Sequence, residues 1–266
     1  MKKRLTALLL ACIMAFSAAP AAYAAAVEDS AAAEEQKEGW DGDAYYKDGT
    51  AVDGLQEIDG AKYYFKNGKV VKNQIVYKIG KKYYAVSKKG VLKQYKDVEE
   101  QAAAQLRKLY KKNIPALNAK KTEKLFKKAF LWCANSCVGK KYKGVAKVKN
   151  YKKYAVAGFA TRKGDCKTQA SMLAVMAGIL GYKKVKFVHG YVPTAVNSKG
   201  KYTAFRTHAW ITLKMGKKTY VCDPSFNTST DAKKLKKKNK YVGYKFRYGA
   251  KNTYAYHNAK KKLIKK

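Results

Sequence analysis

Residues 208–223 read His-Ala-Trp-Ile-Thr-Leu-Lys-Met-Gly-Lys-Lys-Thr-Tyr-Val-Cys-Asp, and this segment predicts a β-hairpin. Its two halves alternate with the period of a β-strand, and Met215-Gly216 lies between them. A short link that contains glycine is typical of a hairpin between antiparallel strands. With Met215 and Gly216 as the turn, we expect His208 directly opposite Asp223. Side chains opposite each other have Cβ atoms about 5 Å apart, so the imidazole and the carboxylate can hydrogen bond.

The same alternation assigns the other side chains of the hairpin to its two faces. Cys222 falls on the face opposite to His208, together with Ala209 and Ile211, so we do not expect it to be the reactive thiol. Trp210 shares the face of His208, where it either lines the wall of a cleft or packs. A one-residue bulge would break this pairing, because it moves every later side chain to the other face.

A helix that begins at Cys166 is indicated by the run Gly164-Asp-Cys-Lys-Thr-Gln-Ala170. Asp165 suits the N-cap and Gly181 suits the position after the helix, which gives a helix of about fifteen residues. A thiol in the first turn lies at the positive end of the helix dipole, which favours the nucleophilic thiolate. The backbone N–H of Cys166 can also donate to an oxyanion. The alternative interpretation of Cys166 is a core residue at a helix start.

The expected pair of His208 and Asp223 favours the catalytic interpretation of Cys166. In covalent acyl transfer a carboxylate orients an imidazole, and the imidazole takes the proton of the nucleophile. The sequence therefore predicts a triad of Cys166, His208 and Asp223, in which the backbone N–H of Cys166 is one oxyanion donor. No second donor can be assigned from the sequence.

This order of residues resembles the core of the transglutaminase-like superfamily, a branch of the papain-like cysteine enzymes. The resemblance covers roughly residues 122–226 and rests on four short motifs: Gly164-Asp-Cys-x3-Ala170, Gly181-Tyr, His208-Ala-Trp210 and Val221-Cys-Asp-Pro224. It implies an α+β fold in which a helix that carries the Cys packs against an antiparallel sheet.

The resemblance also implies roles for the three residues. Cys166 is the nucleophile, His208 is the general base and acid, and Asp223 orients His208. The implied reaction is acyl transfer from an amide, either to water, as in a peptidase, or to an amine, as in cross-linking. The sequence shows no acidic cluster of the kind that binds calcium, so we expect no metal and no cofactor.

Residues 39–95 contain a repeated aromatic pattern. Each repeat has a tyrosine pair with a glycine before it and another after it, and the pairs are Tyr45-Tyr46, Tyr63-Tyr64 and Tyr83-Tyr84. This pattern predicts a short β-hairpin that occurs about three times. Because one hairpin cannot bury a core, we expect the neighbours to stack into a small hairpin solenoid.

The run Ile58-Asp-Gly-Ala-Lys-Tyr-Tyr-Phe-Lys-Asn-Gly68 resembles the cell-wall-binding repeats of Gram-positive bacteria, the choline-binding type among them. The resemblance implies attachment to the wall through the tyrosine pairs. Those repeats usually carry a Trp eight residues before each pair, a position that is Lys37, Leu55 or Ile75 here, while Trp40 is out of register. Capture of a quaternary amine needs several aromatic rings, so we do not expect choline as the ligand. A spacer that binds nothing is the alternative.

The N-terminal residues 1–24 have the pattern of an export signal: a basic start, an apolar run and the cleavage site Ala22-Tyr23-Ala24. Cys12 offers a poorer alternative, a lipoprotein acceptor site. Residues 25–38 are rich in Ala and Glu and are expected to form an acidic flexible spacer. No later run is long enough for a transmembrane segment. The sequence thus predicts a secreted protein at the surface of a Gram-positive bacterium.

The formal net charge is +40, and Lys supplies almost all of the positive charge. Such a field attracts polyanions. Arg is the residue that reads base edges, and the chain has only five, at positions 4, 107, 162, 206 and 247. We therefore expect anionic wall polymers, teichoic-acid-like or peptidoglycan, as partners and no specific nucleic acid. A merely solvated surface is the alternative.

Residues 97–266 are expected to form one α+β domain. Helices are predicted from Asp97 to about Lys112 and from Thr122 onward, and strands from Lys183 and on both sides of the hairpin turn. Two further strands are predicted near 241–247 and 253–257. His189 is interpreted as a structural residue, and His257 as a surface residue of the Lys-rich C-terminal tail. Cys133 and Cys137 are interpreted as small buried residues and not as zinc ligands.

Three functions fit these patterns. The first is a wall-attached cysteine enzyme that hydrolyses peptide or isopeptide bonds. The second is the same enzyme joining proteins through glutamine and lysine. The third is a wall-binding protein without activity, against which the complete set of Cys166, His208 and Asp223 argues.

Overall fold

The computed structural model describes residues 36–137, 151–237 and 239–265. The described residues from Lys37 onward belong to one compact unit. The predicted export signal and most of the acidic spacer lie outside the described residues. Within the described ranges no helix combines the length and the apolar character needed to cross a membrane.

The repeat region folds into short antiparallel sheets. Two of them have three strands each, in the orders β1-β2-β3 and β4-β5-β6. Each tyrosine pair lies on the middle strand of a three-stranded meander, as the aromatic pattern predicts. The strands are β1 Gly39–Asp41, β2 Ala44–Lys47, β3 Thr50–Ala51, β4 Gly54–Ile58, β5 Ala61–Lys66, β6 Lys69–Val70, β7 Gln74–Ile79, β8 Lys82–Val86 and β9 Leu92–Gln94.

Neighbouring meanders contact each other. The backbone N–H of Val70 donates to the carbonyl of Asp43 at 2.7 Å, and Phe65 is fully buried between Ile58, Val70 and Tyr45. The third sheet also takes a strand from the following region, because β10 (Ile114–Pro115) pairs with β7. The solenoid itself stays a prediction.

Six helices occupy the described part of the rest of the chain: α1 Asp97–Tyr110, α2 Ala119–Ser136, α3 Tyr151–Thr161, α4 Cys166–Ile179, α5 Pro224–Asn227 and α6 Ala232–Lys236. The predicted helices at Asp97 and Cys166 are confirmed. The second helix begins earlier than Thr122, because the side chain of Asn118 accepts a hydrogen bond from the N–H of Lys121 at 2.9 Å and so caps it.

The main sheet has three antiparallel strands in the order β11-β12-β13: Lys183–Val196, Tyr202–Met215 and Lys218–Cys222. Helix α4 is buried along most of its length and packs against one face of this sheet, where Phe187, Ala209, Ile211 and Cys222 share its core. The predicted combination of helices with an antiparallel sheet is confirmed.

The predicted register of the hairpin is wrong by two residues. Met215 pairs with Lys218 and Ile211 with Cys222, so the turn is Gly216-Lys217 and not Met215-Gly216. Gly216 has a φ of 61°, a conformation that the first central position of a type II′ turn requires and that suits glycine. The alternation predicted that Gly lies in the turn but not which turn position it takes.

The two further strands predicted near 241–247 and 253–257 are also wrong. The two regions make isolated bridges only: Phe246 pairs with Val221, and His257 pairs with Tyr191 and with Leu263. Left-handed backbone conformations at Lys245 (φ 53°) and Asn252 (φ 59°) interrupt an extended chain here. The tyrosines of this segment pack their rings against Trp210 instead.

Candidate active site

Cys166 is the first residue of α4 and is partly exposed. The side chain of Asp165 caps the helix by accepting a hydrogen bond from the N–H of Lys167 at 2.9 Å. Gly164 allows the preceding loop to approach the helix, because a Cβ there would lie 2.2 Å from Thr168 Oγ1. The loop and cap thus fix the thiol at the N-terminus of a buried helix, where the helix dipole stabilises negative charge.

His208 lies in β12 and is 4% exposed. Its Nε2 is 2.6 Å from Asp223 Oδ2. The two residues are not directly opposite each other, because continuation of the observed register places Trp210 opposite Asp223. A shift of two residues keeps a side chain on the same face of a strand, and His208 therefore meets Asp223 on a diagonal.

Asp223 follows β13 and is fully buried. It is the N-cap of α5, since its Oδ1 accepts hydrogen bonds from the N–H of Phe226 at 3.1 Å and from Ser225 Oγ at 3.2 Å. Its Oδ2 accepts one from the hydroxyl of Tyr256 at 2.7 Å in addition to the contact with His208. Four donors therefore replace the water that this buried carboxylate does not contact.

The charges of the site reinforce one another. Burial works against ionisation of Asp223, but the His208 charge and the hydrogen bonds of His208, Tyr256 and Phe226 hold the pKa of this carboxyl below its ordinary value. Burial also disfavours charged His208, but the charge and hydrogen bond of Asp223, together with a hydrogen bond and charge of Cys166, raise the pKa of His208 to about 10. The imidazole is thereby a strong acceptor for a proton.

The structure brings the three predicted residues together. Cys166 is near enough to His208 to contribute to its raised pKa, and His208 is bonded through Nε2 to Asp223. Because Nε2 is held by Asp223, Nδ1 is the nitrogen left for Cys166. This arrangement can move a proton from a thiol to an imidazole that a carboxylate orients.

Trp210 is fully buried, so it packs behind His208 and does not line an open cleft. Its ring is stacked with the imidazole at a centroid distance of 6.0 Å. Its indole N–H donates to the hydroxyl of Tyr248 at 2.8 Å. Of the two roles expected for Trp210, the structure supports packing.

The other histidines and cysteines lie apart from this chemistry. His189 is 6% exposed, and neither of its ring nitrogens has a hydrogen-bond partner in the structure. Burial, with the positive charges of Lys167 and His208, lowers the pKa of His189 to about 4. Burial raises the pKa of the Cys222 thiol to about 12, which agrees with its assignment to the face that carries no reactive group. His257 is buried, and its Nδ1 bonds Ala255 O at 2.8 Å. Its predicted surface position is therefore wrong, because the backbone of His257 pairs with Tyr191 of β11.

The remaining candidates are also placed. Cys133 and Cys137 are buried and unpaired, as expected for small core residues. In the described ranges no three His, Cys, Asp or Glu side chains cluster in a way that could hold a metal ion.

Sequence reasoning missed Tyr256 and Ser225, the two hydroxyls on Asp223. Pro224 after Asp223 is a signal for a helix start that could have placed Ser225, because Pro is favoured in the first turn of a helix. Tyr256 had no comparable signal, since it lies 33 residues from Asp223 in the chain.

The tyrosine pairs of the repeats differ in exposure. Tyr84 is 8% exposed and Tyr83 packs against the main core, so this pair offers little open surface, and its contact with a wall ligand stays a prediction. Tyr45 and Tyr63 surround Trp40, with ring centroids 5.3 and 5.2 Å away. Trp40 itself is 43% exposed, and sequence reasoning had set it aside as out of register. Tyr46 is covered by Lys37, and Tyr64 is next to Tyr77.

Comparison with known proteins agrees with this geometry for the central part of the chain. A comparison with curated proteins found no match. A family model, that of the transglutaminase-like superfamily, matches residues 112–224. The match contains Cys166, His208 and Asp223 and ends just before Ser225. Residues 112–224 are therefore similar to the transglutaminase-like superfamily, whose members are generally cysteine enzymes, and a transglutaminase-like domain lies in this part of the chain.

Proposed function

We propose that this protein is a secreted, wall-attached cysteine enzyme that hydrolyses peptide or isopeptide bonds through Cys166, His208 and Asp223. One observation carries the proposal: His208 Nε2 lies 2.6 Å from Asp223 Oδ2 in a buried site, next to a thiol at the N-terminus of α4. The match of residues 112–224 to a superfamily of cysteine enzymes supports it.

The proposed reaction begins from an ion pair in which the proton of the Cys166 thiol already lies on His208, because the raised pKa of His208 favours the imidazolium. The thiolate attacks the carbonyl carbon of the substrate amide, a C–S bond forms, and the carbonyl electron pair moves to oxygen. The backbone N–H of Cys166, in the first turn of α4, donates to this oxyanion. Asp223 stabilises the imidazolium that forms, because its carboxylate bonds Nε2 directly.

Collapse of the tetrahedral intermediate then breaks the C–N bond. The leaving amine takes the proton from His208, and the acyl group stays on Cys166 as a thioester. In hydrolysis His208 next takes a proton from water, the resulting hydroxide attacks the thioester carbonyl, and the acid leaves while Cys166 is restored. An amine in place of water would give a new amide, so hydrolysis and cross-linking share the first half of the reaction.

Attachment to the wall is supported by two features of the repeat region. Trp40, Tyr45 and Tyr63 form an aromatic cluster whose Trp is 43% exposed. An aromatic face open to solvent is suited to contact with sugar rings or apolar groups of a polymer. The net charge of +40 adds attraction to anionic wall polymers.

The proposal is tested with purified Gram-positive walls and the mature protein. We expect release of new amino and carboxyl termini, detected by mass spectrometry, and its loss in Cys166→Ala. His208→Ala should reduce the rate by at least about 100-fold, since general acid–base catalysis contributes that much or more. Equal release by Cys166→Ala would show that the thiol is not the nucleophile.

The same assay shows whether water or an amine accepts the acyl group from Cys166. Addition of a fluorescent primary amine together with a glutamine-containing protein shows cross-linking as covalent labelling and as ladders on gels. We expect hydrolysis to exceed amine incorporation. Predominant ladders would contradict hydrolysis and support the cross-linking reaction.

A further inference from the structure

The C-terminal segment, residues 253–265, lies beyond the part of the chain that matches the superfamily, yet it contacts the candidate active site. The backbone of His257 exchanges two hydrogen bonds with Tyr191 of β11, at 2.9 and 2.8 Å. The N–H of Ile264 donates to the carbonyl of Tyr256 at 2.8 Å. These bonds fix the backbone at Tyr256 and at the residue that follows it.

Tyr256 places its hydroxyl on the carboxylate that holds His208. The hydroxyl donates to Asp223 Oδ2 at 2.7 Å, and His208 Nε2 lies 2.6 Å from the same oxygen. Tyr256 is 1% exposed, and its ring packs edge-on against Trp210 at a centroid distance of 4.7 Å. Burial and the Asp223 charge raise the pKa of the phenol well above its ordinary value, so the hydroxyl stays a donor.

We infer that Tyr256 is a positioning residue of this site, whose hydroxyl holds Asp223 Oδ2 against His208 and keeps the carboxylate ionised. The inference rests on the proposed function. Tyr256 touches neither the thiol nor a substrate in this account and acts only through Asp223. The C-terminal segment thus completes a site whose three reactive residues all lie within the matched region.

The reason for this role is the solvation of a buried charge. Oδ1 of Asp223 has donors from Phe226 and Ser225, and both belong to the cap of α5. Oδ2 has only Tyr256 and His208 among the described residues. Loss of the Tyr256 hydroxyl leaves His208 as the sole donor to that oxygen. A hydrogen bond to a charged group is stronger than one between neutral groups, so without it ionised Asp223 becomes less stable and supports the imidazolium less.

Tyr256→Phe isolates this effect, because the ring and its packing against Trp210 remain. The matched control is Tyr248→Phe. Tyr248 belongs to the same aromatic cluster, 5.8 Å from Tyr256 between ring centroids, but its hydroxyl accepts from Trp210 and does not contact Asp223. Both variants lose one hydrogen-bonded hydroxyl, but only Tyr256→Phe removes a donor to Asp223.

The experiment measures the rate of iodoacetamide labelling at Cys166 from pH 4 to pH 9 by peptide mass spectrometry. We expect the midpoint of the labelling profile to rise by about one pH unit in Tyr256→Phe, with about tenfold slower labelling on the acid side. Tyr248→Phe should follow the wild type. In an Asp223→Asn background, Tyr256→Phe should cause no further shift, because the hydroxyl acts through that carboxylate.

Three results would overturn the inference: profiles of Tyr256→Phe and wild type that coincide, an equal shift in Tyr248→Phe, or an undiminished effect of Tyr256→Phe in Asp223→Asn. Labelling of the wild type only near pH 8.5, as for an ordinary thiol, is a separate outcome. It would contradict the proposed function itself and remove the role of Tyr256 with it.

Discussion

His208 and Asp223 are bonded on a diagonal of the β12–β13 hairpin, with 2.6 Å between Nε2 and Oδ2. The residue that stands opposite Asp223 in the observed register is Trp210. Because side chains alternate along a strand, His208 and Trp210 share one face, and the longer diagonal is within reach of the imidazole. The pairing of acid and base thus depends on the face that the two residues share more than on a particular turn.

Asp223→Asn should inactivate the enzyme without unfolding it. The amide keeps the shape of the side chain but removes the charge that outweighs burial at His208, so the pKa of His208 should fall from about 10 to below its ordinary value. We expect kcat/KM to fall by about 10³- to 10⁴-fold, as when the carboxylate of a Ser-His-Asp enzyme is replaced. The control is Ser225→Ala, which removes the 3.2 Å donor to Oδ1 and a 3.5 Å contact with His208 Nε2 but keeps the charge, and it should cost less than tenfold. Retained activity in Asp223→Asn would contradict the role of this carboxylate.

Gly164→Ala should destabilise the fold. The added Cβ would lie 2.2 Å from Thr168 Oγ1 and 2.4 Å from Thr168 Cβ, so the loop before Cys166 must move. We expect a loss of about 1–3 kcal/mol in the free energy of unfolding in urea, the usual cost of overpacking. Gly178→Ala, in the helix α4 that follows this loop, is the control, because nothing lies within 4 Å of a Cβ there. The free energy of unfolding of this control should rise by about 0.5–1 kcal/mol. Equal stability of the two variants would show that the loop does not pack as described.

The sequence was sufficient to predict the elements that carry the reactive residues. A capping Asp165 and an apolar run predicted α4, and alternation predicted β12 and β13, because both signals are local. The faces of His208, Cys222 and Asp223 were also correct, since they depend only on the period of a strand. The turn was misplaced by one residue because glycine can occupy either of its central positions.

The parts that the sequence did not predict depend on contacts between distant residues. Helix α3 was missed because it buries only Ala155 and Gly158 in its described length and has no clear apolar stripe. Gly158 is used there to approach Met172 and Thr168 of α4. Tyr256 was assigned to a strand, whereas its position follows from a tyrosine cluster around Trp210 that no local pattern encodes.

His189 should make stability dependent on pH. Its pKa is about 4 in the folded protein and 6.5 ordinarily, so between these values the unfolded chain binds a proton that the folded protein does not. Stability therefore falls as pH decreases from 6.5 to 4, by about 3 kcal/mol for this group. The measurement is urea unfolding of wild type and His189→Phe at both pH values. Between pH 6.5 and pH 4 the free energy of unfolding of the wild type should fall by about 3 kcal/mol more than that of the variant. Identical losses would show that the pKa of His189 is not lowered in the folded protein.

Trp40→Ala should weaken attachment to the wall. Trp40 is 43% exposed beside Tyr45 and Tyr63, and loss of an exposed aromatic contact costs about 1 kcal/mol, or roughly fivefold in affinity. The assay is co-sedimentation of the full chain with purified walls over a salt series, which separates lysine electrostatics from aromatic contact. Leu55→Ala is the matched control, because Leu55 is an equally exposed apolar residue of the repeats, at 50%. Unchanged binding of Trp40→Ala would show that the aromatic cluster does not contribute to wall binding.

Activation of the Cys166 thiol by His208 is tested by the pH dependence of iodoacetamide labelling at Cys166. The wild type and His208→Ala are compared by peptide mass spectrometry, with buried Cys222 as an internal reference in each sample. We predict fast labelling of Cys166 that persists below pH 7 in the wild type. In His208→Ala the labelling below pH 7 should be lost. Labelling that rises only near pH 8.5, as for an ordinary cysteine, and that is the same in both proteins would contradict it.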